Sequence, residues 1–305
     1  MKTLIKILLL LMLSACAESM PVGFLQDMGD GIYVHHGEHL DIDVGYQGDI
    51  CNISVVVGSK GVAVIDTAGS LQVGKQLRSA IAAITQLPIL YVINTHVHPD
   101  HIFGNAAFIA DKPTFVGHEF LAEAMQLREE GYKKLNEKYL GDNATGSDIV
   151  IPTLVVKDLL TLDLGDRELK LQAYPNAHTN TDITVIDSKT QTLFTGDLLF
   201  IARTPVIEGD IKGLIATLEQ LKAHPSIKFV VPGHGQSTSN WVLAIDNQLG
   251  YLNVLLHDVR AAIANDVGLA EAMDTAAASE KDKWVLFDVA NRRNINTIYP
   301  TLEWE

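Results

Sequence analysis

The chain has 305 residues, 47% hydrophobic, 20% charged and 7% aromatic, enough for one large α/β domain or two modest ones. A chain this apolar can offset the entropy of folding, which excludes disorder, and 23 Gly, 10 Pro and 2 Cys exclude collagen-like and disulfide-scaffold classes. With 23 Lys plus Arg against 37 Asp plus Glu, the formal net charge of −14 argues against the basic face that a nucleic acid partner needs.

Residues 1–16 open with Lys2 and Lys6 and run apolar to Leu13. The run is shorter than the roughly 20 residues of a bilayer span and fits the apolar core of an export signal. Its end, Leu13-Ser14-Ala15-Cys16, resembles the lipobox of bacterial lipoproteins. That resemblance implies a signal peptide over residues 1–15, a lipid on Cys16 and a tether over 16–22, which leaves one domain over 23–305. Ala17, rather than Asp, leans it toward the outer membrane, so the expected location is the periplasm-facing envelope, with the membrane met through the lipid on Cys16. With Cys16 acylated, Cys51 has no disulfide partner. Its place before the apolar run 53–57 predicts a buried structural thiol.

Strands are predicted at residues 31–35, 52–58 and 61–66, the last two paired through the turn at 58–61. Residues 70–86 carry helical apolar spacing (Leu71, Leu77, Ile81, Ile84), and Pro88 marks the stop. Residues 88–94 form a short apolar strand of the buried kind. A polar His-rich turn, a helix over 119–139 and an exposed loop over 141–153 follow. Strands resume over 154–173, broken by the turn at 164–166, and continue at 183–186 and 192–195. A helix over 210–223, a strand over 228–232 and a mostly helical stretch over 239–265 complete the reading. No linker separates the two β-rich halves, which predicts a single domain.

The segment Thr95-His96-Val97-His98-Pro99-Asp100-His101 follows the buried strand at 88–94. Three imidazoles and a carboxylate this close are costly packing unless something binds them. His96 and His98 facing one way, with Asp100 and His101 facing another, supply two adjacent metal positions with nitrogen and oxygen donors. His178, Asp197 and His234 each follow a predicted strand, where α/β sites are usually built.

In this order, His96, His98, Asp100, His101, His178, Asp197 and His234 resemble the ligand pattern of the metallo-β-lactamase-fold hydrolases, over residues 30–236. The early Asp of that family matches Asp66, usually a structural hydrogen-bonding residue. The resemblance implies the α/β class and a four-layer αβ/βα sandwich. It also implies one metal on His96, His98 and His178, a second on Asp100, His101 and His234, and Asp197 bridging both. One departure concerns loop shape: the family's Gly-His-Thr-x-Gly reads Ala177-His178-Thr179-Asn180-Thr181 here. Segments 33–39, 48–52, 62–66, 93–101 and 294–305 resemble more narrowly the quinoprotein relay system zinc metallohydrolases, relatives of hydrolases encoded with sulfur-oxidation genes.

The implied function is a dinuclear Zn2+ hydrolase of a small-molecule ester, thioester, lactone or phosphoester, attacked by a metal-bridging hydroxide, with Asp100 as the proton-handling catalytic residue. Iron or manganese stay open, because imidazole suits several metals. The alternatives are β-lactam hydrolysis and an iron-dependent oxygen chemistry on the same fold. Zinc β-lactamases mostly carry Cys or no ligand at the place of Asp197, which favours the ester-type relatives. A non-enzymatic binding protein is the remaining class, and its usual mark is loss of ligands. Loops 40–50, 141–153 and 203–209 are expected to contact substrate. His35, His36 and His39 read as exposed strand-end histidines, and Trp241, Trp284 and Trp304 as helix caps or core.

Overall fold

The computed structural model describes residues 23–305 except Val44, so the signal and tether expected over residues 1–22 lie outside the described residues. Two sheets face each other. The first runs in the spatial order of its sequence: β1 (Gln26–Gly29), β2 (Ile32–His35), β3 (Ile53–Val57), β4 (Val62–Ile65), β5 (Ile89–Ile93), β6 (Thr114–His118) and β7 (Leu154–Val156). β1 to β4 pair antiparallel, and β4 to β7 parallel. The second sheet holds β8 (Leu159–Asp163), β9 (Glu168–Ala173), β10 (Ile183–Asp187), β11 (Thr192–Phe194) and β12 (Phe229–Val231), with β11 and β12 parallel.

Alternation along the strands fills three interiors. In β4, Ala63 and Ile65 face the second sheet, where they meet Leu171, Val185 and Phe194. Val62 and Val64 face outward and pack on α1 (Leu71–Ile84) through Val73, Leu77 and Ile81. In the second sheet, Leu193 and Val230 turn out toward α4 (Ile211–Lys222), α5 (Trp241–Ala264) and α7 (Phe287–Leu302). Helix, sheet, sheet, helix is therefore the layer order, as expected. The short α2 (Pro99–Ile102) and the long α3 (Leu121–Leu140) lie on the first sheet's side, and α6 (Leu269–Thr275) precedes α7. Among the described residues no helix is long and apolar enough to cross a membrane.

Several boundaries have local causes. Ser70 caps α1 by accepting from Val73 N at 3.2 Å, and Asp210 caps α4 through Lys212 N and Gly213 N. The His-rich segment is partly helical rather than a plain turn, because Pro99 stands at the first helical position of α2. The stretch 154–173 serves both sheets: β7 closes the first and β8 opens the second. β1 has no apolar alternation to betray it, and α6 and α7 lie beyond the last predicted helix.

α1 packs on the 3-10 segment Phe103–Asp111 through Gly74 against Gly104. A methyl group on Gly104 would overlap the Thr67 carbonyl, whose residue is held by His101 O on Thr67 N at 3.0 Å. Gly104→Ala is therefore expected to destabilise the fold by about 1–3 kcal/mol. Gly131, in the exposed stretch of α3 with nothing within 4 Å of an added Cβ, should tolerate Ala with a gain of about 0.5–1 kcal/mol. Urea unfolding midpoints of the two variants should move in opposite directions.

Candidate metal centre

The seven residues expected to bind metal come from four chain segments that end at one edge of the two sheets. β5 leads into His96 and His98, and α2 carries Asp100 and His101. The connection from β9 to β10 supplies His178, the turn after β11 supplies Asp197, and the turn after β12 supplies His234. All seven are at least nine-tenths buried. Two groups form: His96, His98, His178 and Asp197, and beside them Asp100, His101 and His234, the ligand atoms of each group lying within 4.8 Å of one another.

Hydrogen bonds fix which nitrogen of each ring faces inward. Thr95 Oγ1 lies 3.0 Å from His96 Nδ1 and donates to Asp66 Oδ2 at 2.7 Å. His178 Nδ1 lies 2.7 Å from Val206 O, His101 Nδ1 2.8 Å from Asp66 Oδ2, and His234 Nδ1 2.7 Å from Ile50 O. Each Nδ1 donates to its oxygen, which turns Nε2 into the site. His98 is turned the other way: its Nε2 faces the Glu208 carboxylate at 2.9 Å, and its Nδ1 lies 3.0 Å from both His96 Nε2 and His178 Nε2. Three ring nitrogens thus converge, with Asp197 Oδ2 at 3.8 Å from His96 Nε2 and 3.4 Å from His178 Nε2. Such a cluster repels itself unless a cation or a proton lies between its members; against its burial, Glu208 raises His98 above the ordinary imidazole range.

The second group follows the same logic. Asp100 Oδ2 is 3.5 Å from His101 Nε2 and 3.4 Å from His234 Nε2. Asp197 reaches it with both oxygens, Oδ1 at 3.2 Å from His101 Nε2 and Oδ2 at 3.3 Å from His234 Nε2. His101 Nε2 and Asp197 Oδ1 are buried and find no hydrogen-bond partner. Unpartnered donor atoms of this kind, all imidazole nitrogen and carboxylate oxygen, fit a dinuclear metal centre. Gly233 makes the approach possible, since a Cβ there would run into Asp197 Oδ1.

Electrostatics agrees with the geometry. Burial drives His96 well below the ordinary imidazole range, helped by the neighbouring His101, and holds His178 down at about 4 despite the pull of Asp197. Both rings are neutral ligands at pH 7. Burial opposes the charge on Asp197, yet His234, His101 and His96 outweigh it and keep the carboxyl well below the carboxylate range. His101 is pulled above the imidazole range against its burial by Asp197, Asp100 and Asp66, so a metal there must displace a proton.

Asp66 proves structural, as expected. Its carboxylate accepts from Thr95 N at 2.8 Å and ties a ring of each group together through Thr95 and His101, from a backbone held at φ 58°. The departure around His178 is absorbed locally: Thr179 donates through N at 2.8 Å and Oγ1 at 2.6 Å to Asp182. Cys51 is fully buried and donates to Asp100 O at 2.9 Å. His35, His36 and His39 lie outside both groups. His35 and His36 are half-buried rather than exposed, with His35 stacked on Phe24 at 4.0 Å and paired to Asp49, and His36 bonded to Ser237. Trp241 belongs to the core, whereas Trp304 is exposed.

Above the metal-ligand groups opens a cavity of about 210 Å³. Loops 40–50 and 203–209 line it as expected, through Asp41, Ile42, Ile50, Arg203, Val206 and Glu208. Loop 141–153 does not. Tyr132 and Leu135 of α3 stand there instead, together with Arg293 of α7, none of them signalled by motif or spacing.

A model of the metallo-beta-lactamase superfamily matches residues 46–234, more than half of the chain. A metallo-beta-lactamase from Pontibacter korlensis is similar in structure, with a TM-score of 0.60 at 19% identity over 75% of this chain and 98% of that one. The stereoselective inverting sec-alkylsulfatase Pisa1 from Pseudomonas sp. gives a TM-score of 0.68 at 17% identity over 92% of this chain and 50% of that one. A curated relative, the putative diflavin flavoprotein A 3 of Nostoc sp., is 23% identical over 223 residues, which are 65% of this chain and 36% of the relative. This chain thus spans about a third of that relative's length, and the likeness to the solved structures is one of fold.

Because Asp66 orients rings of both groups, Asp66→Asn is expected to weaken zinc binding about 10–100-fold. Competition with a chromogenic chelator reads this directly, and far-ultraviolet circular dichroism checks that the fold is kept. Unchanged affinity would show that the rings are held without Asp66.

Proposed function

The chain belongs to the metallo-beta-lactamase superfamily, and on that footing we propose that it is a dinuclear zinc hydrolase of an ester-type bond in a small molecule. The observation that carries this reading is the convergence of seven buried donors into two adjoining groups that share Asp197. His96, His98 and His178 would hold one ion, Asp100, His101 and His234 the other, and Asp197 both. Bound zinc would supply Lewis acidity there, to activate a water and polarise the oxygen of the bond under attack.

The protein's own groups do the rest. Backbone carbonyls hold His178 and His234, and Thr95, Asp66 and Glu208 hold the other rings before substrate arrives, so little reorganisation is left for the reaction. Asp100 lines the cavity from the first turn of α2, and its carboxylate is the group to take a proton from the attacking water and return it to the leaving oxygen. Ile42, Ile50, Leu135 and Phe200 form apolar walls that limit bulk water. The cavity falls below the roughly 300–1,000 Å³ typical of pockets for drug-sized ligands, which favours a small substrate. Export and a lipid on Cys16 complete the reading: the polar domain would work at the periplasmic side of an envelope membrane.

Elemental analysis of the chain without residues 1–16, purified without chelator, should give about two zinc per chain, with activity on a panel of esters, thioesters, lactones, phosphodiesters and β-lactams. Asp197→Ala should lower metal content and hydrolysis together, and full two-metal occupancy in that variant would refute the bridging role. One iron per chain would point to oxygen-dependent chemistry, and no restorable metal to a binding protein. In a bacterial host, labelled palmitate should enter the full chain and be lost in Cys16→Ser; equal labelling of both would overturn the anchor.

A further inference from the structure

Four of the five ligand rings lean on partners that are themselves fixed. Thr95, with Asp66 behind it, serves His96, and Asp66 serves His101 directly. The backbone carbonyls of Val206 and Ile50 serve His178 and His234. His98 alone leans on a side chain of the cavity wall: Glu208, 42% exposed, whose Oε2 lies 2.9 Å from His98 Nε2. It is also the one ring that turns Nδ1, rather than Nε2, toward the other ligands. An exposed glutamate loses rotamer freedom in such a contact, so the backbone beneath it must bring the carboxylate there.

That backbone, residues 205–209, is gripped from two sides. On the side of the site, Glu208 N and Gly209 N both donate to His178 O, at 3.0 and 2.8 Å, and His178 Nδ1 donates to Val206 O at 2.7 Å. Gly209 permits the close approach, since a Cβ there would run into Ala177 O. On the far side stands Asn294 of α7, fully buried. Its Oδ1 accepts from Ile207 N at 2.9 Å and its Nδ2 donates to Pro205 O at 2.7 Å, so one amide holds the chain on both sides of Val206. The Tyr251 hydroxyl of α5 accepts a second bond from that Nδ2 at 2.9 Å. Two of the three rings of the first group therefore depend on a segment held by α7. Among the described residues, Asp100, His101 and His234 make no hydrogen bond to residues 205–209. Tyr251 and Asn294 lie beyond residue 234, where the superfamily match ends.

We propose that Glu208 is a positioning residue for His98, and that segment 205–209, gripped by Asn294, sets the affinity of the metal position on His96, His98 and His178 separately from that of the second position. By accepting the Nε2 proton, the Glu208 carboxylate reserves Nδ1 of His98 for an ion and makes the ring a better donor. Asn294 acts at one remove, through the backbone of Pro205 and Ile207, without touching a ligand. This positioning rests on the metal-centre reading and not on hydrolysis.

Zinc alone is the probe. Crystals of the metal-free protein are equilibrated with chelator-buffered zinc, and anomalous scattering at the zinc edge gives the occupancy of each position separately. Glu208→Ala should weaken the first position about 10–100-fold and leave the second nearly as in wild type. Glu208→Gln keeps an acceptor for His98 Nε2 without the charge and should restore part of the loss. Asn294→Ala should give the same selective loss, about tenfold. If that variant fails to fold, the nearly isosteric Tyr251→Phe, which loses the bond to Asn294, takes its place with a smaller loss of the same kind. Equal loss at both positions would overturn the proposal, leaving Glu208 as general support for the fold, and so would wild-type affinity at both positions in Glu208→Ala. Loss confined to the Glu208 variants would overturn the part given to Asn294. A wild type that binds no zinc would overturn the proposal together with the metal centre. Selective loss in a protein that hydrolyses no ester would uphold it and refute only the hydrolase reading.

Discussion

The constraint on which the molecule turns is the mutual repulsion of ligand atoms held face to face. His98 Nδ1 stands 3.0 Å from two other ring nitrogens, and the buried Asp197 carboxylate lies beside those two. The ring nitrogens that meet there do not hold one another in place. It is held by what lies behind it: the backbone carbonyls of Val206 and Ile50, the Thr95 hydroxyl, and above all Asp66. Two packed sheets supply the rigidity, because strand ends locked in a ladder cannot drift apart to relieve the strain.

Much of this was legible in the sequence. The ligands are residue types with few reasons to be buried, and they recur at ends of apolar strands, so both their identity and their place could be read from residues 96–101, 178, 197 and 234. The layer order came with the family resemblance those residues carry, and the apolar spacing of α1 marked one of its outer helices. The cavity wall was not legible. Tyr132 and Leu135 reach it from the middle of a helix whose pattern reads as ordinary packing, and Arg293 comes from an element past the last predicted one. Arg203 lay inside a loop expected to meet substrate, but only its burial against His234 distinguishes it from any surface arginine.

The C-terminal third explains that difference in legibility. α5 and α7 bury Tyr251, Asn291 and Asn294 in a polar network, Tyr251 donating to Asn291 Oδ1 at 3.0 Å and Asn294 donating to Tyr251 at 2.9 Å. Buried amides satisfy one another and the 203–209 loop at once, so the outer helices do more than cover the second sheet. They decide the shape of the opening above a centre whose ligands all lie upstream of them.

Asp66 has a consequence beyond orientation. Through Thr95 it holds a ring of one ligand group, and directly it holds a ring of the other, so a shift of its carboxylate is felt by both. Ions held at the two positions would then be thermodynamically linked, each altering the affinity for the other by the same factor.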